Sequence, residues 1–153
     1  MSKKGVSVED QLLIYFGSPY TDSDRAIMLA RFEEIRDITE QVIRECPGIV
    51  PFSPIAYTHQ FSHIEGIDWL ARVDYRMLLE FDGLFIVQMQ GWSVSEGVIC
   101  EQHFAQLRDI PVFYAPLDRV VERCHEIWED RKHLFVDIGG RQNVEGGYEL
   151  CFS

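Results

Sequence analysis

The chain has 153 residues, of which 46% are hydrophobic and 25% charged, a composition typical of an ordinary globular domain. Its formal net charge is -11, so the field of the whole molecule repels a nucleic-acid backbone. We therefore expect no long nucleic acid as a partner, although donors at a helix N-terminus can hold one small phosphate. The length predicts a single domain over residues 1–153.

The termini and the cysteines indicate a cytoplasmic protein that has no contact with a membrane. No apolar run follows the two N-terminal lysines, and no stretch is apolar for long enough to span a bilayer. The four cysteines are far apart, which favours free thiols in a reducing compartment; they are Cys46, Cys100, Cys124 and Cys151. Metal, NTP and dinucleotide motifs are absent from the sequence, so we expect no metal and no cofactor.

The first half of the chain predicts a strand, a helix and a short second strand. Residues 12–16 (LLIYF) form an apolar run that ends at a Gly-Ser-Pro loop. A helix should begin at Thr21, Asp22 or Ser23, since apolar residues then recur at helical spacing until a Cys-Pro-Gly stop at 46–48. Residues 49–54 carry two prolines, so we expect at most a short strand, followed by an irregular loop through Tyr57, His59 and His63.

The second half alternates helices and strands more clearly. Residues 67–81 predict a helix with Asp74 in its middle, and residues 84–89 form the nearly all-apolar run of a buried parallel strand. Ser93 or Ser95 can cap a helix that extends to about Arg108. A fourth strand at 111–114 and a helix at 117–130 complete the pattern.

This alternation predicts an α/β fold: a three-layer, doubly wound parallel sheet of about four to five strands, Rossmann-like or flavodoxin-like. The loops that follow its strands, at 17–20, 53–59 and 91–97, should surround one crevice. We interpret residues 1–10 as an N-terminal extension. Residues 131–153 should form a C-terminal tail, either a hairpin or an arm on a partner subunit of a homo-oligomer.

Two carboxylates are suitable for glycosyl transfer, which needs one to attack the anomeric carbon and one to assist the leaving base. Glu101 lies near the start of one predicted helix and Asp74 in the helix before it. By composition alone both are ordinary solvated acids, Tyr15 is a core aromatic, and His59 is a loop residue. Glycine and serine residues at two strand-to-helix transitions can supply donors to a phosphate: Gly17, Ser18, Ser95 and Gly97.

Four segments resemble the nucleoside 2-deoxyribosyltransferase superfamily, including its 2'-deoxynucleoside 5'-phosphate N-hydrolase branch. They are IYFGSPYTDSDR at 14–25, FSPIAYTH at 52–59, DYRMLLEFDGLFIV at 74–87 and GWSVSEGVICEQHFA at 91–105. The second segment and the GWxxSxG motif are closer to small bacterial and phage members whose substrates the resemblance does not settle.

The resemblance implies Glu101 as the nucleophile, Asp74 as the residue that assists the base, and Tyr15 as the residue that orients the glutamate. The eight-residue step from Asp74 to Asp82 matches the family pattern and favours Asp74 over Asp68. Ser95 resembles a serine that contacts the 5'-phosphate, and Trp92 is placed to stack on a base. The expected substrate-binding residues are Gly17, Ser18, Tyr20, Ser53, His59, Trp92, Ser95 and Gly97.

The expected activity is hydrolysis of the N-glycosidic bond of a nucleoside or of a (deoxy)nucleoside 5'-monophosphate through a glycosyl-Glu101 intermediate. Two alternatives remain. One is transfer of the sugar to an acceptor base, which differs only in how well the site excludes water. The other is a non-catalytic nucleotide sensor that keeps the fold without turnover.

Overall fold

The computed structural model describes residues 5–64 and 74–135. Several expectations lie outside this part of the chain: the first residues of the N-terminal extension, the predicted helix up to residue 73 with Asp68, and the tail beyond residue 135 with Cys151.

The described residues form a four-stranded sheet in which every neighbouring pair of strands is parallel. The strands are β1 (Leu12–Gly17), β2 (Ile49–Phe52), β3 (Gly83–Val87) and β4 (Val112–Ala115), in the order β2-β1-β3-β4. β1 lies in the centre, where Tyr15 is in register with Phe52 of β2 and with Leu84 of β3. The predicted parallel sheet of about four to five strands is confirmed, with four strands in the described residues.

Helices connect the strands. The longest is α1 (Arg25–Glu45), and α2 (Pro54–Thr58) follows β2 directly. The described part of α3 covers residues 74–78. The others are α4 (Glu96–Leu107), α5 (Val120–Glu129) and the single turn α6 (Arg131–Leu134). Short 3-10 turns lie at Val8–Asp10, His59–Phe61, Trp92–Val94 and Leu117–Arg119.

Two hydrophobic clusters on opposite faces of the sheet make the fold three-layered. Ile14 and Phe16 of β1 pack with Phe85 and Val87 of β3 against α1 and α5. Tyr15 of β1 packs with Leu84 and Ile86 of β3 against α3 and α4. Because successive strand residues point to opposite faces, the alternation along β1 and β3 decides which helices each side chain meets. The three-layer, Rossmann-like α/β architecture is confirmed.

Several predicted boundaries were wrong for identifiable reasons. α1 begins after Asp24, whose carboxylate accepts a hydrogen bond from the Ala26 N–H, and not after residues 21–23. Residues 54–61 are helical and not an irregular loop, because Ser53 caps α2 and Pro54 occupies its first position. Residues 79–81 have already left the helix, and α5 starts after a 3-10 turn at Leu117–Arg119. At the start of the tail, His133 belongs to α6.

Two further expectations concern the thiols and the membrane. Cys46, Cys100 and Cys124 are free thiols, as predicted. None of the described helices is both long enough and apolar enough to cross a bilayer.

Candidate active site

The sheet order creates a switch point between β1 and β3. From β1 the chain passes to β2 on one side, whereas β3 and β4 lie on the other. The connections that leave the carboxyl ends of β1 and β3 therefore diverge and leave a crevice between them, the usual ligand position in an open α/β sheet. Gly17 ends β1, in register with Ile86 of β3, so both strands reach this edge together.

Glu101 extends from α4 toward the end of β1. A Cβ atom added to Gly17 would lie 2.8 Å from Glu101 Oε2, and one added to Gly97 would lie 4.0 Å from Oε1. The carboxyl group therefore lies between the last residue of β1 and the first turn of its own helix. Oε2 is buried and has no hydrogen-bond partner among the residues that the structure describes. Such an oxygen is costly in a folded protein unless a ligand or the chemistry of the site requires it.

Asp74 contributes a second carboxyl group from α3. It is half-buried, and burial raises its pKa from 3.8 to about 7. Burial also raises the pKa of Glu101 well above 4.5, and the negative charge of Asp74 raises it further. The two groups therefore lie close enough to influence each other's ionisation, and the pair tends to retain a proton near neutral pH.

Tyr15 completes this group from the centre of the sheet. Its side chain is almost fully buried on the face covered by α3 and α4, with its ring edge-on to Phe81 at 5.7 Å. Burial raises the pKa of the Tyr15 phenol, and the charges of Glu101, Asp74 and Tyr75 raise it further. The phenol therefore stays neutral and keeps its proton as a hydrogen-bond donor. The structure thus brings together the three residues that the sequence predicted as catalytic.

The predicted phosphate-binding residues lie in two groups. Ser18 follows Gly17 and is buried, and its hydroxyl has no partner within the described ranges 5–64 and 74–135. Ser95 is the N-cap of α4, where its Oγ accepts a 3.5 Å hydrogen bond from the Val98 N–H, and Gly97 lies in the first turn. Ser53, which was predicted to bind substrate and not specifically the phosphate, caps α2 in the same way, through the Ala56 N–H at 3.1 Å.

Tyr20 and His59 join two loops of the crevice. The Tyr20 hydroxyl lies 2.6 Å from His59 Nδ1, and the His59 ring stacks on Phe32 of α1 at 4.0 Å. The loop after β1 is therefore attached to the turn that follows α2.

Trp92 lies in the 3-10 turn after β3. Its ring lies 6.0 Å from that of Tyr114 in β4, and the Tyr114 hydroxyl donates to Gln102 at 2.8 Å. Trp92 therefore has a protein aromatic neighbour already, and its stacking on a base stays a prediction.

Arg31 is a residue of this region that the sequence reasoning missed. Its guanidinium donates to the carbonyl oxygens of Tyr20 and Thr21 after β1 and of Gln90 after β3. An arginine within an amphipathic helix carries no local signal for such a role, because its acceptors lie in two separate loops.

For metal binding, no group of three or more suitable side chains occurs in the described part of the chain.

The chain matches a family model from residue 12 to residue 116, that is, from the start of β1 to just beyond β4. It belongs to the DUF1937 family. This family is described as a domain of unknown function. The DUF1937 match contains all four strands and all three of Tyr15, Asp74 and Glu101. Comparison with curated proteins gave no match.

Proposed function

We propose that this protein is an N-glycosidase that cleaves the bond between base and sugar in a nucleoside or a (deoxy)nucleoside 5'-monophosphate, with Glu101 as the nucleophile. The observation that carries the proposal is the buried Glu101 carboxyl, which lies against Gly17 and interacts electrostatically with Asp74. Two carboxyl groups with strongly raised pKa values in one crevice are typical of acid–base or nucleophilic sites.

In this mechanism the ionised Glu101 attacks C1' of the sugar, and the bond from C1' to the base nitrogen breaks. Asp74 in its protonated form donates its proton to the departing base. Water then attacks C1' of the glycosyl ester, with the carboxylate of Asp74 accepting the proton of that water. This releases the sugar or sugar phosphate and restores both carboxyl groups.

The protonation states set a requirement for the substrate. Burial favours the neutral form of Glu101, whereas attack needs its carboxylate. The positive charge that develops on the sugar in the transition state would stabilise that carboxylate. The neutral Tyr15 phenol interacts electrostatically with Glu101 and is the nearby group that would donate a hydrogen bond to it once it is ionised. The shared proton can then reside on Asp74, where the leaving base needs it.

The phosphate of a nucleotide would be held by backbone N–H groups at the start of α4 and by Ser18. Ser18 supports this because its buried hydroxyl lacks a partner in the described residues, and α4 offers the positive end of its dipole. The expected homo-oligomer stays part of this proposal.

The decisive experiment measures base release and covalent trapping together. Purified protein is incubated with a panel of nucleosides and their 5'-monophosphates, with and without a second base, and the products are separated by chromatography. Free base plus free sugar or sugar phosphate is the expected result, and mass spectrometry of the intact protein and of its digest should detect a glycosyl adduct on the peptide that contains Glu101.

Glu101→Gln should abolish the adduct and lower turnover by at least about a thousandfold, equivalent to ~4 kcal/mol in the barrier. The matched control is Glu96→Gln, which removes an exposed carboxylate from the same helix and should retain activity. Exchanged bases without free sugar would reject hydrolysis in favour of transfer. Tight binding of a nucleotide without base release by the wild type would instead favour the sensor.

A further inference from the structure

Arg31 links the two loops that border the switch point. Its Nη1 donates to Tyr20 O at 3.3 Å and Thr21 O at 3.1 Å, and its Nη2 donates to Gln90 O at 3.4 Å. The side chain is only 17% exposed and has the Asp22 carboxylate 4.0 Å away. One planar guanidinium, held by a rigid helix, is therefore bonded to the backbone on both sides of the crevice.

Gly91 leaves the space in which the guanidinium of Arg31 lies. Its φ of +88° lies in the left-handed region, and a Cβ atom on it would lie 2.9 Å from Arg31 Nη2. A side chain at position 91 would be strained and would also displace the guanidinium. The backbone at Gln90 and Gly91 is thus shaped to receive the side chain of Arg31.

The two linked loops carry most of the proposed ligand contacts. The loop after β1 contains Ser18 and Tyr20, and Tyr20 is in turn bonded to His59. The loop after β3 leads through Trp92 to Ser95 at the start of α4. A lysine has a single ammonium group in place of the guanidinium fork, so it cannot present two donor nitrogens to the two loops at once.

We propose that Arg31 is a positioning residue that fixes the distance between the β1–α1 and β3–α4 loops, and so the width of the crevice that receives the ligand. The identity of that ligand rests on the proposed function, whereas the link between the loops does not. Arg31 lies on α1, on the sheet face opposite to α3 and α4, so it acts through the loops and not on Asp74 or Glu101.

The test compares Arg31→Met and Arg31→Lys with the control Arg44→Met, which removes an exposed arginine from the same helix. Hydrogen exchange is followed by mass spectrometry on peptides that cover residues 18–24 and 88–95. Arg31→Met should speed exchange about tenfold in both peptides while β1 and β3 keep wild-type protection. Arg44→Met should leave both peptides unchanged.

Arg31→Lys is the milder variant and keeps the charge. It should also speed exchange in at least one of the two peptides, because one ammonium cannot serve both loops. Full protection of both loops in Arg31→Lys, or a change confined to one loop or spread over the whole sheet in Arg31→Met, would overturn the proposal.

Kinetics give a second readout if the protein releases base. Arg31→Met should raise KM several-fold more than it lowers kcat, since the chemical groups lie on other elements. A fall in kcat that is larger than the rise in KM would contradict a positioning role. A wild type without base release would refute the proposed function, while the exchange data would still decide the role of Arg31.

Discussion

Asp74 in its ionised form lowers the stability of the fold because its carboxyl group is partly removed from water. Burial raises its pKa to about 7, which means that the folded chain binds this proton more tightly than the unfolded chain does. A group whose pKa is higher in the folded chain than in the unfolded chain stabilises the folded chain fully at pH values below its unfolded pKa. This stabilisation is lost as the pH rises through its folded pKa. As the pH rises from about 4 to about 7, ionisation of Asp74 should therefore lower the unfolding free energy of the wild type.

Asp74→Asn should remove this loss. We expect the variant to be more stable than the wild type by about 1 to 2 kcal/mol at pH 8, a value reduced for solvent screening of a half-buried group. The difference should disappear near pH 4. Thermal or urea unfolding across this pH range measures it, with Glu33→Gln on the exposed face of α1 as control. A difference that is constant from pH 4 to pH 8 would show that Asp74 is not the titrating group.

Gly17 leaves the space in which the Glu101 carboxyl lies. In Gly17→Ala the new methyl group would lie 2.8 Å from Oε2 and 2.9 Å from Ile86 Cδ1, so both side chains have to move. Because Oε2 lacks a hydrogen bond within the described part of the chain, no hydrogen bond opposes its displacement.

We expect Gly17→Ala to lower kcat by on the order of 10 to 100-fold, since small displacements of a nucleophile are costly. Overpacking should also lower the unfolding free energy by about 1 to 3 kcal/mol. Steady-state kinetics and urea unfolding test this, with Gly5→Ala as control because a methyl group there meets no atom within 4 Å. An unchanged kcat would mean that the carboxyl position is not critical.

At the scale of elements, the central strands β1 and β3 were the most predictable, because each is an apolar run that is buried almost throughout, whereas the edge strands β2 and β4 are only partly buried. The α2 helix was missed although its signal is present: Ser53 followed by Pro54 is a typical helix start. Two prolines in six residues were instead interpreted as a sign of irregular backbone. The role of Arg31 was not predictable, because its bond to Gln90 joins residues 59 apart in sequence.

The start of α4 has two possible roles that a single variant separates. Ser95 caps the helix through a rather long 3.5 Å bond, which leaves its hydroxyl and the nearby N–H groups available to a phosphate. Ser95→Asp keeps a good cap but places a negative charge there. It should weaken use of a 5'-monophosphate by on the order of 1 to 3 kcal/mol in kcat/KM and spare the matched nucleoside.

The comparison for this prediction is the ratio of kcat/KM for the nucleoside and its 5'-monophosphate in both proteins. Ser95→Ala is the control for capping alone and should cost about 1 kcal/mol of stability. A ratio that Ser95→Asp leaves unchanged would restrict Ser95 to its capping role.

At the scale of the whole molecule, strand alternation and sheet order decide which residues meet. Tyr15 lies on the α3/α4 face because its neighbours Ile14 and Phe16 point to the other face, and the switch point places Gly17 beside Glu101. The sequence pattern predicted the sheet and the crevice from these rules. It did not by itself select Asp74 and Glu101 from 25 acidic residues; the family resemblance did that.

The net charge of -11 gives a prediction that involves the whole molecule. A dianionic 5'-monophosphate is repelled on approach, whereas a neutral nucleoside is not. The Debye length is roughly 30 Å at 0.01 M salt, comparable to the size of the domain, and about 8 Å at 0.15 M. Added salt should therefore remove most of the long-range repulsion and leave contacts inside the crevice largely intact.

We expect kcat/KM for the 5'-monophosphate to rise several-fold between about 0.01 and 0.15 M salt, while kcat/KM for the matched nucleoside stays nearly constant. The nucleoside is the internal control, since it experiences the same changes in protein stability and in the chemistry at Glu101. Stopped assays at five or more salt concentrations, with KCl and potassium acetate compared to detect competition by chloride, provide the measurement. A fall in kcat/KM for the monophosphate as salt is added would mean that attraction by a local positive site outweighs the repulsion by the whole chain. The phosphate would then be bound by a cationic side chain, which the proposed Ser18 and α4 contacts do not include.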